Sequence, residues 1–186
     1  MILSDKSIKD RIAEQSIAID PLLEGSIQPA SVDLRLDSSL LIFSNSWRTH
    51  IDVREPAEDI SDSVEIQDEK PFILHPGQFA LGSTLERITI SNDLVARIEG
   101  KSSLARYGLL IHSTAGFVDP GWDGKLTLEF SNVGMLGITL RCGMKIGHIS
   151  FTQLSTPAEI PYGSAELGSK YQGQDGPVAS RYYMNY

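Results

Sequence analysis

The stretch Lys125-Leu126-Thr127-Leu128-Glu129-Phe130 holds the most informative carboxylate of the chain. In an extended strand successive side chains point to opposite faces. Leu126, Leu128 and Phe130 therefore share one face, and Thr127 and Glu129 the other. On a solvated edge Glu129 is an ordinary surface acid. On a face that lines a pocket, it is a group that can take a proton from water and hand it on. Periodicity leaves both readings open.

Upstream, Gly100-Lys101-Ser102-Ser103 ends like a phosphate-binding P-loop, but Val95 occupies the position where that loop requires its first glycine. What remains is a lysine followed by two hydroxyls at an expected helix start. There Ser102 or Ser103 caps the helix, or the lysine and the backbone N–H groups meet an anion. His112-Ser113 joins a base to a hydroxyl, yet sequence neighbours diverge in direction and no G-x-S-x-G turn exposes the serine. His50, His75, His112 and His148 show no H-E-x-x-H pattern or short-spaced pairing. Cys142 with His148 offers two ligands at most, so no zinc site is expected.

The elements that must position these residues are mostly strands. Val32/Leu34/Leu36, Leu94/Ala96/Ile98 and Leu126/Leu128/Phe130 alternate with polar residues and read as half-buried strands. His75-Pro76-Gly77, Asp119-Pro120-Gly121 and Arg141-Cys142-Gly143 supply turns between the runs. One helix is expected from a Ser4 cap to near Gln15, with Asp5 in its first turn and Ile8 and Ile12 one turn apart. The expected fold is mainly β, a distorted β-barrel or sandwich with one N-terminal helix and short additional helices. Residues 52–70 carry eight acids and two bases and read as a solvated excursion. Residues 161–186 are rich in Gly, Ser, Gln and Tyr without periodicity, as expected of a tail that orders over a ligand or a neighbouring subunit.

The 186 residues suit a single domain. With 41% hydrophobic and 22% charged residues the chain is expected to fold as a globular protein, and the formal charge of -8 argues against wrapping nucleic acid. The single cysteine rules out an intrachain disulfide and fits a reducing cytoplasm. No signal peptide, spanning helix or membrane partner is expected.

Residues 100–132, GKSSLARYGLLIHSTAGFVDPGWDGKLTLEFSN, resemble the signature region of the dCTP deaminases, members of the trimeric dUTPase-like (β-clip) superfamily. The opening ILSD, the run 28–36 (QPASVDLRL), the turn LHPG and the tail GSKYQGQ resemble the same family, so nearly the whole chain is covered. Relatives that stop at dUTP usually carry His-Arg after Thr-Ala. Here Thr114-Ala115 is followed by Gly116-Phe117, which resembles the bifunctional, dUMP-forming group. Smaller bulk there is expected to leave room beside the phosphates for a second hydrolytic water.

The resemblance implies a role for each matched residue. Glu129 shuttles protons, Ser102 and the Ala115 carbonyl place the water, and Arg106 holds Glu129 and stabilises the tetrahedral intermediate. Asp119 accepts from the 3'-hydroxyl and orients the water that attacks the α-phosphate. Its simpler reading is an Asx turn. Lys101, Ser103, Leu104, Ala105, Thr127 and Leu128 complete the substrate contacts. Tyr162, Lys170 and Gln174 close from the tail. The implied substrate is dCTP, with dUTP and an inhibitory dTTP as further ligands. Mg²⁺ is carried by the triphosphate and no zinc is used. A homotrimer with shared sites is implied. His148, where some bifunctional relatives carry Gln, suggests a pH effect on nucleotide binding. The rival readings are a deaminase releasing dUTP and a non-catalytic deoxynucleotide sensor.

Overall fold

A computed structural model describes residues 1–43, 48–57, 60–67 and 69–186. The first helix, α1 (Asp5–Ala13), begins where the sequence places it. The Ser4 hydroxyl accepts from the Ser7 N–H, Glu14 ends the helix, and Gln15 takes a left-handed φ of 60°. Ile8 is fully buried, worth about 1.5–3 kcal/mol of apolar transfer.

Strands follow in quick succession: β1 (Ile17–Asp20), β2 (Ile27–Gln28), β3 (Ser31–Arg35), β4 (Ser39–Phe43), β5 (Ser61–Glu65), β6 (Phe72–Leu74), β7 (Phe79–Ile90) and β8 (Leu94–Gly100). After the one-turn helix α2 (Ser102–Ala105) come β9 (Leu109–Leu110), β10 (Phe117–Val118), β11 (Asp123–Asn132), β12 (Ile138–Leu140) and β13 (Lys145–Gln153). A short 3-10 helix lies at Tyr182–Asn185.

Among the described residues these strands form a six-stranded sheet in the order β5-β4-β7-β11-β9, in which β1 also pairs with β7, and a five-stranded sheet in the order β10-β8-β13-β3-β2. β6 and β12 make a separate pair. Leu34, Leu94 and Phe151 from one sheet and Leu40, Ile88, Leu128 and Phe130 from the other belong to one buried core. The arrangement is the distorted sandwich the alternation implied. Burying such a set is what offsets the conformational entropy of so many short strands.

Three expectations change. Asp33 does not face solvent between inward Val32 and Leu34, because its side chain is 3% exposed. Part of the acidic excursion is sheet: β5 pairs antiparallel with β4 from Ser39↔Glu65 to Phe43↔Ser61, and Ile60 and Ile66 at its two ends are buried. Neither Ser102 nor Ser103 caps α2. The cap position is Lys101, and no side-chain bond closes that end.

Candidate active site

β11 alternates strictly, with Leu126, Leu128 and Phe130 buried and Lys125, Thr127 and Glu129 half-buried on the other face. Its pairing with β7 sets Thr127 opposite Ser83 and Glu129 opposite Leu81. A register shift between Lys125 and Thr127 adds local twist. On the outer face of this sheet lies a cavity of about 680 Å³, within the range of small-molecule sites. Thr127 and Glu129 line it, joined by Phe117 of β10, by Ala115 and Asp119 on either side of that strand, and by Tyr162 and Gln174 from the tail.

The Glu129 carboxylate is held from above. The backbone N–H of Ser113 donates to Oε2 at 3.1 Å, and the Glu129 N–H donates to the Ile111 carbonyl at 2.8 Å. The loop that leaves β9 therefore folds over the acid and carries Ala115 to the cavity wall. His112 lines the same wall, with Nε2 3.5 Å from Glu99 Oε2 and with Nδ1 buried and unpartnered among the described residues.

Gly116 stands behind the wall. A Cβ there would lie 2.9 Å from the Ile98 carbonyl oxygen and 3.3 Å from the His112 ring. The space left by its missing side chain is taken up by this chain's own backbone, so it does not widen the cavity as expected from sequence. Phe117, 60% exposed, does line the cavity.

Asp119 opens a turn in which Gly121 takes a φ of +85°, and the Asp119 carbonyl accepts from the Trp122 N–H at 3.2 Å. The tail packs on this turn. The Tyr162 N–H donates to the Pro120 carbonyl at 2.8 Å, its ring meets Trp122 at 5.4 Å, and burial pushes its phenol up. Farther along, the Lys125 N–H donates to the Gln174 carbonyl at 3.0 Å. Gln174 Nε2 donates to the Lys125 carbonyl and to Thr127 Oγ1, while its Oε1 is buried and unpartnered among the described residues. The Lys125 ammonium sits 2.9 Å from both Asp37 and Asp175, a tie from the sheet to the tail. Its pKa is raised: burial acts downward, and the two carboxylates outweigh it.

The remaining expected site residues lie elsewhere in the chain. Lys101, Ser102, Ser103, Leu104, Ala105 and Arg106 form α2 and its flanks, and none of them lines the Glu129 cavity. Arg106 and Ala105 instead border a second hollow of about 640 Å³ with Tyr107, Met135 and Leu136. Arg106 does not hold Glu129 within one chain; the Ser113 amide does. Leu128 and Leu104 turn their side chains to the core, so Leu128 can offer a substrate only its backbone. Lys170 points away from the cavity lining to Asn185 Oδ1 and stands 6.0 Å from the Tyr182 ring.

Sequence reasoning missed Trp122 and Tyr171, which also line the cavity. Their signal was present in the aromatic residue after the Asp119-Pro120-Gly121 turn and in the tail's unusual tyrosine content. His112 was weighed only as a partner for Ser113 and as one of four histidines without metal-ligand spacing. Among the described residues, no group of three or more His, Cys, Asp or Glu side chains is placed to hold a metal ion. No described helix is long and apolar enough to cross a membrane.

A strand carboxylate facing a mostly apolar cavity, under a tail and beside an Asp-Pro-Gly turn, suits a nucleotide enzyme built on a β scaffold. A family model described as dCTP deaminase-like matches residues 2–154, and the chain belongs to that family. It is 55% identical to a Nocardia farcinica protein named "dCTP deaminase, dUMP-forming", over the whole of this chain and 94% of that protein. A Mycolicibacterium vanbaalenii protein of the same name is 53% identical over the whole of this chain and 98% of its own. Among solved structures, the 2'-deoxycytidine 5'-triphosphate deaminase of Agrobacterium tumefaciens aligns at a TM-score of 0.62 with 23% identity, covering 81% of this chain and 47% of that one. The chain thus spans about half the length of that protein. The EIAV dUTPase aligns at 0.50 with 18% identity, covering 80% and 98%. These two likenesses are of fold, and they bear out the dUTPase-like architecture.

Proposed function

We propose that the chain is a bifunctional deaminase and diphosphatase that converts dCTP and two waters to dUMP, ammonia and diphosphate. The observation that carries this reading is the Glu129 carboxylate, fixed by the Ser113 amide on the wall of a cavity that also holds Ala115 and Asp119. The naming of the full-length relatives as dUMP-forming supports the second half of the reaction.

Deamination begins when Glu129 takes a proton from a water that adds to C4 of cytosine. The proton passes to N3, and a tetrahedral intermediate forms. Glu129 then takes the proton of the new C4 hydroxyl and delivers it to the amino group, the C–N bond breaks, ammonia leaves, and the C4 carbonyl of uracil closes. The Ala115 carbonyl orients the water. Thr127 and Gln174 recognise the nucleotide, and the buried free Oε1 of Gln174 is an acceptor in need of a donor. In the second step Asp119 orients a water onto the α-phosphorus, and diphosphate departs.

Ser102 and Arg106 enter from a second copy. Their own chain leaves α2 outside the Glu129 cavity, beside exposed Tyr107, Val133, Met135 and Leu136, an apolar surface suited to a neighbour. A homotrimer provides three equivalent shared sites, each closed by residues 161–186 as the tail of a single 1–186 domain. Lys101, Ser103 and Lys170 hold the phosphates. With no acidic cage among the described residues, Mg²⁺ arrives on the triphosphate, as that ion usually does, and neutralises charge on the phosphate oxygens. A cytoplasmic setting fits the substrate and the lone cysteine.

The test is to incubate the protein with dCTP and Mg²⁺ and to follow ammonia, diphosphate and nucleotides together. Equal release of ammonia and diphosphate with dUMP as product is expected. Accumulation of dUTP without diphosphate would reject the second step. Ammonia release that survives Glu129→Gln would reject the first.

A further inference from the structure

Asp33 belongs to no part of the chemistry above, yet it is a buried carboxylate beside two ammonium groups. β3, β13 and β8 lie side by side, and their register sets Asp33 opposite His148 and His148 opposite Glu99. Lys101 follows the end of β8, and Lys145 begins β13. Both reach the same acid: Lys101 Nζ donates to Oδ1, and Lys145 Nζ lies 3.0 Å from Oδ2.

One ammonium neutralises a carboxylate; two leave a surplus. Burial pushes the Asp33 carboxyl up, but the bonds and charges of the two lysines outweigh it and hold it below the usual range. The acid is therefore ionised at neutral pH. Burial and the charge of Lys101 push the neighbouring His148 imidazole down, so it adds no further positive charge there. Asp33, Lys101 and Lys145 together carry one net positive charge directly before Ser102 and Ser103, and Glu99 on the far side of His148 is paired with Arg97 at 3.7 Å.

We propose that Asp33 is a positioning residue that fixes the Lys101 ammonium for the triphosphate, and that Lys145 supplies the surplus charge that lets this fixed pair attract an anion. The inference rests on the assignment of Lys101 to the phosphates. Without Lys145, Lys101 and Asp33 form a neutral pair. A phosphate could then engage Lys101 only by drawing it from a buried carboxylate that has no other cation, which is a costly arrangement. With Lys145 in place the carboxylate stays compensated while Lys101 turns part of its bonding outward.

Lys145 is half exposed, so Lys145→Met can be made without opening the core, whereas Asp33→Asn risks misfolding. Lys145→Met is expected to raise KM for dCTP about tenfold while kcat changes by less than about twofold, to weaken inorganic tripolyphosphate binding by a similar factor, and to flatten the salt dependence of both. Lys145→Arg should restore them. Calorimetric titration with tripolyphosphate keeps the two readings apart. Equal affinity for wild type and Lys145→Met overturns the proposal, and if Lys101→Met alone weakens binding, the phosphate role of Lys101 survives that loss. Lys145-dependent tripolyphosphate binding by a wild type that releases no ammonia from dCTP upholds the proposal and overturns the enzymatic reading.

Discussion

Gln174 fastens the tail to the sheet through Thr127: its Nε2 donates to Thr127 Oγ1 at 3.0 Å, and the same oxygen receives the Val178 N–H at 3.4 Å. One hydroxyl on the cavity wall thus holds two points of the segment that covers the cavity. In the proposed function, substrate recognition and closure would then depend on the same side chain.

Thr127→Val keeps the shape and removes the acceptor. The tail should then open more often, with KM for dCTP raised several-fold and trypsin cutting faster at Lys170 and Arg181. The core faces away from this position, so Tm should fall by less than about 4 °C. Unchanged proteolysis would mean that the tail is held by the Tyr162 and Lys125 contacts alone.

Gly116 is predicted to tolerate almost nothing larger. Gly116→Ala places a methyl group 2.9 Å from the Ile98 carbonyl oxygen and against His112, and overpacking of this kind costs about 1–3 kcal/mol. Because His112 and Ala115 share the wall, the strain should also move Ala115 and reduce ammonia release. Denaturant unfolding and single-turnover assays on one preparation read both effects. A variant as stable as wild type would show that the loop yields freely.

Sites shared between copies make a distinctive prediction. Glu129→Gln and Arg106→Ala should each lower ammonia release by about 10²–10⁴-fold. If the two residues of one site come from different chains, mixing and re-annealing the two inactive proteins regenerates sites with both residues intact, and activity returns. Sedimentation should give about three times the 20.4 kDa chain mass. Absence of recovery in verified mixed oligomers would put both residues in one chain's site.

Acid stability should report on Asp93. Its carboxylate accepts from Ser91 Oγ at 2.5 Å and from Gln153 Nε2 at 2.9 Å, and it pairs with Arg11 of α1 at 2.9 Å, contacts that hold its carboxyl down to about 2. A folded-state value below the unfolded one, about 3.9, gives stability that is complete above roughly pH 5 and lost as pH falls toward 2. The contribution is at most about 2 kcal/mol. The Tm gap between wild type and Asp93→Asn should be widest at pH 6 and shrink steadily as pH falls toward 2. A gap independent of pH would contradict it.

What the sequence made legible follows from periodicity. β11 alternates without interruption, so the outward placement of Thr127 and Glu129 could be read directly, and so could the Ser4 cap of α1. The pattern of β3 looked the same and misled. Asp33 stands where an exposed residue belongs, but the lysines that cover it come from positions 101 and 145, far away in sequence. The segment around Ser102 was legible as a motif and not as a place, since a local pattern cannot say that α2 lies outside the Glu129 cavity of its own chain. Gly116 shows the same limit: its absent side chain signalled space, and only packing reveals that Ile98 and His112 occupy it.

The edge strand β5 gives the chain's acidity a use. Among the described residues its outer side is unpaired and would accept any other extended chain, and identical molecules are the commonest strands at hand. Asp62 and Glu65 stand exposed on that rim, within the segment of eight acids and two bases. Two such rims repel one another before their backbones can pair. The acids on this rim thus oppose edge-to-edge aggregation, while apolar members of the same segment, Ala57 and Ile60, line the cavity.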